Sequence, residues 1–244
     1  MIGSPGPRYI RRRYTIRLHR DMHNKYYTAE EFVREYNLIL SGARILNAGS
    51  STTRFGQNCI NVDIQDKPNV DLIADLHELP DDIGKFDAVI CNAVLQYCQS
   101  PKKVIEEFQR VLEPGGLLFI DAPWVQPYCD DTPDLFRFSE RGLISLLDDF
   151  EVVSSGPSIS PGSALAMQGS YIAGSLSRNK YIAYALTKAT EILLYPMRWI
   201  RTKAPERTAG ANFVIARKAA KDRKAATALQ PSLRAVNTQN ERVT

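Results

Sequence analysis

The stretch "ARILNAGSSTTRFG", Ala43 to Gly56, decides how the chain folds. Ile45 and Leu46 begin an apolar run that reads as a buried strand, and the run breaks into Ala48, Gly49 and Ser50. In an α/β protein this is where a strand gives way to a ligand loop. A pyrophosphate site wants several glycines and a helix N-terminus aimed at the ligand. Here Ser51 and Thr53 stand where glycines would be expected. The next strand-end acid, Asp63, follows Gly49 by 14 residues, against about 20 in dinucleotide folds. A parallel crossover needs roughly a dozen residues, so the helix between the two strands shrinks to about a turn around Thr52 to Gly56. The spacing favours a ligand without phosphates.

The flanking sequence alternates strands and helices. Thr28 to Leu40 predicts a helix with Thr28 and Glu31 as a capping box, ended by Ser41-Gly42. Short β-branched or apolar runs at Asn58–Gln65, Asp71–Asp75, Phe86–Val94 and Gly116–Pro123 predict strands. Ser100–Glu113 predicts an amphipathic helix stopped by Pro114-Gly115-Gly116, and Ser139–Phe150 a second one capped by Ser139. A strand follows at Glu151–Pro157, and residues 155–170, rich in Ser, Gly and Pro, read as a long loop. Asn179–Arg201 reads as an apolar helix interrupted at Pro196, and Ala211–Lys218 as the last strand. This order predicts a mostly parallel sheet with helices on both faces.

With 244 residues and 44% hydrophobic content, the chain predicts one main domain. Its net charge of +4 is uneven: residues 1–20 carry six arginines and no acid, and 216–244 seven cations against Asp222 and Glu241. The acidic middle argues against a basic nucleic-acid groove. Cys59, Cys91, Cys98 and Cys129 form no CxxC pair, and His19, His23 and His77 are scattered, so no metal site is expected. The opening residues hold no apolar run of about 7–15 residues, and nothing approaches the ~20 of a membrane span. The expectation is a cytoplasmic protein, with peripheral contact to the inner membrane as an option.

Six motifs in order carry a resemblance: "NAGSSTT", Asp63, Asp75-Leu76 with Leu79-Pro80, Phe86-Asp87-Ala88-Val89, "VLQY" (Val94–Tyr97) and "RVLEPGG" (Arg110–Gly116). Together they resemble class I S-adenosylmethionine-dependent methyltransferases of the small-molecule "type 11" group. "PDLFRFSERGL" (Pro133–Leu143) is similar to a segment of members that accompany glycan-modifying genes. The resemblance implies a Rossmann-like methyltransferase fold with a mostly parallel seven-stranded sheet. It divides the chain into a basic flexible N-terminus (1–27), a methyltransferase domain (28–218, with a helical insertion at about 171–205) and a disordered basic tail (219–244).

The resemblance also implies site roles and S-adenosyl-L-methionine as cofactor. Asn47, Ala48, Gly49, Ser50 and Ser51 would form the cofactor loop. Asp63 and Ile64 would hold the ribose side, Asp75 and Leu76 the adenine, and Asn92, Ala93 and Leu95 would border the methyl-transfer end. Asn47 stands where the family usually has an acid, and Gln96-Tyr97 where Glu-His is commoner.

Methyl transfer requires an in-line approach at about 3–3.5 Å, and a base only where the acceptor must lose a proton. The candidate bases are Asp130, Asp131 and Tyr128, with His77 a further option. Trp124, Tyr128 and Arg137 are candidates for acceptor binding, while Arg137 has the alternative of pairing with Asp134. The expected acceptor is a small molecule or a glycan, including a lipid-linked one. The 179–201 helix carries more apolar residues than one core face needs, so core packing, a lid, a homodimer contact and membrane contact stay open. Two other functional classes stay open: a non-catalytic cofactor-binding or interaction protein on this fold, and a nucleotide-dependent oxidoreductase, against which the missing GxGxxG counts.

Overall fold

The alternating runs fold into one seven-stranded sheet. In the computed structural model, which describes residues 26–129, 133–200 and 202–219, the strands are β1 (Ile45–Ala48), β2 (Cys59–Asp63), β3 (Leu72–Ile73), β4 (Phe86–Asn92), β5 (Leu112–Pro123), β6 (Phe150–Ile159) and β7 (Ala211–Lys218). Their order is β3-β2-β1-β4-β5-β7-β6. β1 to β5 pair in parallel, and β7 lies antiparallel between β5 and β6. The strand order reverses between β1 and β4. Their carboxyl ends therefore form the switch point at which such sheets hold ligands.

Strand alternation sorts the core into two layers. Leu46, Val62, Val89, Leu118 and Ile120 face the helix α2 (Pro101–Val111), which buries Val104, Ile105, Phe108 and Val111. Ile45, Cys59, Ile90, Phe119 and Ile215 face the other way, onto Phe32 and Val33 of α1 (Ala29–Glu35). Each such buried side chain contributes about 1.5–3 kcal/mol.

Several elements differ from expectation. α1 starts at its Thr28 cap, whose hydroxyl accepts from the Glu31 N–H, but ends at Glu35 instead of Leu40. The cause is Asn37, left-handed at φ 54, with Leu38 N–H reaching Val33 O and Asn37 N–H reaching Arg34 O. That pair of bonds closes a helix and stops it. α3 (Glu140–Ile144) is capped by Ser139 as expected but is a short piece.

The predicted loop at 155–170 is wrong. β6 continues to Ile159, and α4 (Pro161–Ser175) follows at once. Ser160 caps α4 through the Ser163 N–H, and Pro161 sits in its first turn, where a missing N–H costs nothing. The helical segment therefore starts ten residues before the expected insertion at 171. α5 (Lys180–Leu194) packs beside α4 and gives way to a 3₁₀ turn at Tyr195–Trp199, where Pro196 lies. Residues 1–25 and 220–244, which hold most of the expected basic ends, lie outside the described residues.

The link from β1 to β2 contains turns and no helix. Side chains do the work of that helix. Asn47 Nδ2 donates to Thr53 O (2.8 Å) and Asn61 Oδ1 (3.2 Å), and Asn61 Nδ2 donates to Thr53 O (3.0 Å) and Asn69 O (2.8 Å). Arg54 reaches Cys59 O at 2.7 Å and both oxygens of Asp71, while Asp71 accepts from the Asn61 N–H. The crossover is tied down by its own main-chain carbonyls.

Candidate active site at the carboxyl ends of the strands

β1 ends in a turn that only glycine fits. Gly49 has φ +70, and a Cβ there would lie 2.3 Å from Val94 Cγ2. Gly49 and Ser50 both donate their N–H to Val62 O, at 2.8 and 3.0 Å, which bends the chain across the end of β2. Ser51 is also left-handed, at φ 50. As a residue with a Cβ it carries a local cost of about 1–2 kcal/mol. Its N–H donates to Asp63 Oδ2 at 3.0 Å, a charge-assisted bond that offsets this. Thr53, the other residue in place of a glycine, is not among the left-handed positions and needs no compensation.

Asp63 is buried and holds the loop from below. Its Oδ2 accepts from Ser51 N–H and from Lys67 Nζ (3.3 Å), and its Oδ1 from Gln65 N–H (2.9 Å). Beside it Ile64 is 68% exposed, an apolar side chain open at a polar strand end.

The second rim follows β3. Asp75 Oδ1 accepts from the His77 N–H (2.9 Å) and meets His77 Nδ1 at 2.6 Å. Those bonds hold its carboxyl below the usual range: the His77 N–H is the largest cause, partly opposed by burial, and the His77 ring adds to it. His77 Nε2 accepts from the Ser100 N–H at the start of α2, so its two ring nitrogens are spent joining two loops. Leu76 is buried.

The third rim follows β4. Asn92 is exposed, and Ala93 is left-handed at φ 56, donating its N–H to Asp121 O. Gln96 Nε2 donates to Ala93 O at 2.8 Å, and Gln96 O accepts from the N–H groups of Leu135 and Phe136. The "VLQY" turn thus anchors the 133–138 segment. Ser50 Oγ and Gln96 Oε1 are buried with no hydrogen-bond partner among the described residues. Such orphaned atoms are what a bound polar ligand or water satisfies.

Sequence and structure divide the candidate residues in three. Gly49, Ser50, Ser51, Asp63 and Ile64 lie together at the ends of β1 and β2, with Asn92 and Ala93 across the switch point and Asp75 on the adjoining loop. Ala48 and Leu95 are fully buried, and Asn47 is turned beneath the crossover. Arg137 lies in a bidentate pair with the buried carboxylate of Asp134, and also donates to Pro127 O. Trp124 N–H donates to Gly210 O, and Tyr128, 57% exposed, offers its carbonyl to the Tyr171 hydroxyl. Asp130 and Asp131 lie outside the described residues.

Sequence reading missed Asp121. It closes "LLFID" as Asp63 closes "INVD", so the same strand-end pattern would have found it. It is register partner to Asn92 at the end of β5, nearly buried, and its Oδ1 accepts from Ser158 Oγ at 2.7 Å. The buried thiols belong to the core instead: burial pushes Cys98 up to about 11 and Cys91 well above its ordinary value.

Residues 48–120 match the family model described as a methyltransferase domain. Over 54 residues, 22% of this chain and 21% of the relative, the chain is 46% identical to Thiol S-methyltransferase TMT1B of Homo sapiens. Over 109 residues, 35% of this chain and 45% of the relative, it is 30% identical to the Ubiquinone biosynthesis O-methyltransferase of Xanthomonas oryzae pv. oryzae. The chain spans less than half the length of these curated relatives. A solved 1,6-didemethyltoxoflavin-N1-methyltransferase of Burkholderia thailandensis is 16% identical, with a TM-score of 0.47 over 76% of this chain and 77% of that one.

Proposed function

Because residues 48–120 match the methyltransferase-domain family, we propose that the chain binds S-adenosyl-L-methionine at the β1/β4 switch point and methylates a small-molecule acceptor. One observation carries the reading. The Gly49 turn brings bare main chain over Val94, with Ser50 Oγ and Gln96 Oε1 orphaned on the two facing loops. The cofactor supplies a methyl group on a sulfonium, ready for in-line displacement. The protein's part is to hold and orient.

In this reading the Gly49–Ser51 loop lies along the methionine half, Asp63 meets the ribose hydroxyls, and Ile64 covers the adenine that Asp75 hydrogen-bonds. Asn92, exposed beside the Gly49 turn, borders the methyl group. The acceptor enters over residues 124–129 and 133–137, with Trp124 and Tyr128 as its apolar rim. Arg137 serves there by keeping those residues folded on Asp134. A hydroxyl or amine acceptor must release a proton. Asp130 and Asp131 stay candidates for it, and Asp121, beside Asn92 on the sheet, joins them.

A second reading, a cofactor-binding or interaction protein without catalysis, draws on one fact. Both carboxylate oxygens of Asp63 are already engaged by Ser51, Gln65 and Lys67. Calorimetric titration of S-adenosylhomocysteine separates a cofactor-binding chain from a pure interaction protein, and methyl transfer to an acceptor separates catalysis from binding alone. Wild type should bind, and Asp63→Ala should weaken binding about 10- to 100-fold, as loss of hydrogen bonds to a charged group does. A folded wild type that takes up no S-adenosylhomocysteine would end the methyl-transfer reading and leave only the interaction protein standing.

A further inference from the structure

We infer that the α4–α5 hairpin is a docking surface for an anionic lipid membrane, lying in the plane of the headgroups. No charged residue occurs from Pro161 to Ser177. The outward face of α5 shows Tyr181, Ile182, Tyr184, Ile192 and Leu193, each more than half exposed and Ile192 at 77%. α4 adds Leu165, Ile172 and Leu176 on its own outer side, at 54%, 61% and 76%. A helix on a water-facing surface puts its polar residues outside. This hairpin is turned inside out.

The seam between the helices explains the inversion. A Cβ on Gly174 would meet Thr187 Oγ1 at 2.4 Å, and one on Gly169 would meet Leu194 Cδ1 at 2.6 Å. Ala166, Ser170, Ala183 and Thr187 are buried in the same hairpin, and the two hydroxyls donate to carbonyls of their own helices. Small residues let the helices approach closely and leave the large apolar side chains outside.

Charge selects lipid over a second copy of this chain. The hairpin and its following turn carry Arg178, Lys180, Lys188 and Arg198, and one acid, Glu191, which is buried and bonded to Lys188 at 2.9 Å. With four cations against one acid, two copies meeting through this face would set net positive charge against net positive charge. Anionic headgroups complement that charge. Tyr181 and Tyr184 stand at one end of α5, and Tyr195 and Trp199 beyond the other, half-apolar rings suited to the headgroup level. No helix among the described residues is long and apolar enough to cross a membrane. Docking is therefore in-plane.

The hairpin also borders the acceptor side, since the Tyr171 hydroxyl of α4 donates to Tyr128 O. On the methyl-transfer reading, and only on it, docking turns Tyr128 and the residues 124–129 toward lipid, and the acceptor is one held in or anchored to the membrane.

Cosedimentation of the full chain with vesicles tests the docking. Phosphatidylcholine vesicles with and without phosphatidylglycerol are compared for wild type and for Ile192→Glu/Leu193→Glu. These two side chains are 77% and 74% exposed, so the variant should keep its circular dichroism. Wild type should pellet with the anionic vesicles, and the variant should lose about ten-fold or more of that affinity. Wild type that stays in the supernatant, or a variant that pellets equally, overturns the inference. So does a dimer that the substitutions dissociate while vesicles bind nothing, which assigns the face to a second copy. S-adenosylhomocysteine titration on the same samples fails separately: vesicle binding without it sinks the methyl-transfer reading alone.

Discussion

The link from β4 to β5 carries α2, which buries Val104, Ile105, Phe108 and Val111 against the sheet. The link from β1 to β2 has no helix and is held by Asn47, Asn61 and Arg54 bonded to main-chain carbonyls. Both join neighbouring parallel strands, by different physics. Apolar packing is non-directional and tolerates small shifts, whereas an amide clamp fixes particular carbonyls at particular distances. The rigid solution sits under the Gly49 turn, where a ligand loop needs its main chain placed, and the packed one sits where bulk coverage suffices.

The two links should fail differently when substituted. Phe108 is fully buried in the α2 layer, so Phe108→Ala should cost about 3–5 kcal/mol in denaturant unfolding while leaving S-adenosylhomocysteine affinity near wild type in the folded fraction. Gly49→Ala should cost about 2–5 kcal/mol, from overpacking on Val94 plus a left-handed residue with a Cβ, and should also abolish cofactor binding. Adding Val94→Ala should return the steric part and not the strain. If the double variant gains nothing, the contact with Val94 is not the constraint.

Asn61→Ala removes one of two donors from each of the Thr53 and Asn69 carbonyls, which keep Asn47 and Arg54, and should cost about 1–2 kcal/mol. Loss of ligand affinity out of proportion to that cost would show that the clamp positions the loop. The smallest effect concerns acid. Burial pushes the Asp71 carboxyl up, but the Asn61 N–H and Arg54 outweigh this and hold it below its ordinary value. A carboxyl depressed in the folded state stabilises above its unfolded value and loses that contribution as pH falls through the folded one. Asp71 is 41% exposed, so the share is under about 1 kcal/mol. Asp71→Asn should flatten the acid limb of the unfolding curve by that amount, and an unchanged limb would remove Asp71 from the clamp.

Much of the sheet was legible because strand periodicity and burial coincide in it. Phe86–Val94 and Ala211–Lys218 gave β4 and β7, and the shrunken first crossover followed from the 14 residues between Gly49 and Asp63. α4 was not legible by composition. Its Gly162 and Gly169 fell in the expected loop, yet both are helical, and with Gly174 they are glycines because α5 and the turn after it approach too closely for a Cβ. The Ser160-Pro161 start was the overlooked signal.

What the sequence determined alone is the local chemistry: which runs are apolar, where glycine ends β1, and which acids end the strands. Asp63 was named as a strand-end acid, Asp75 and Asn92 by the resemblance, and Asp121 could have been named from its strand. Where shared partners go depends on the packed fold. It spent Asn47 under the loop, His77 between two loops and Arg137 on Asp134, because a polar side chain bonds to the nearest complementary group the fold delivers. It also turned the α4–α5 hairpin apolar side out, since tight helix contact admits only small residues and pushes the large ones to the surface.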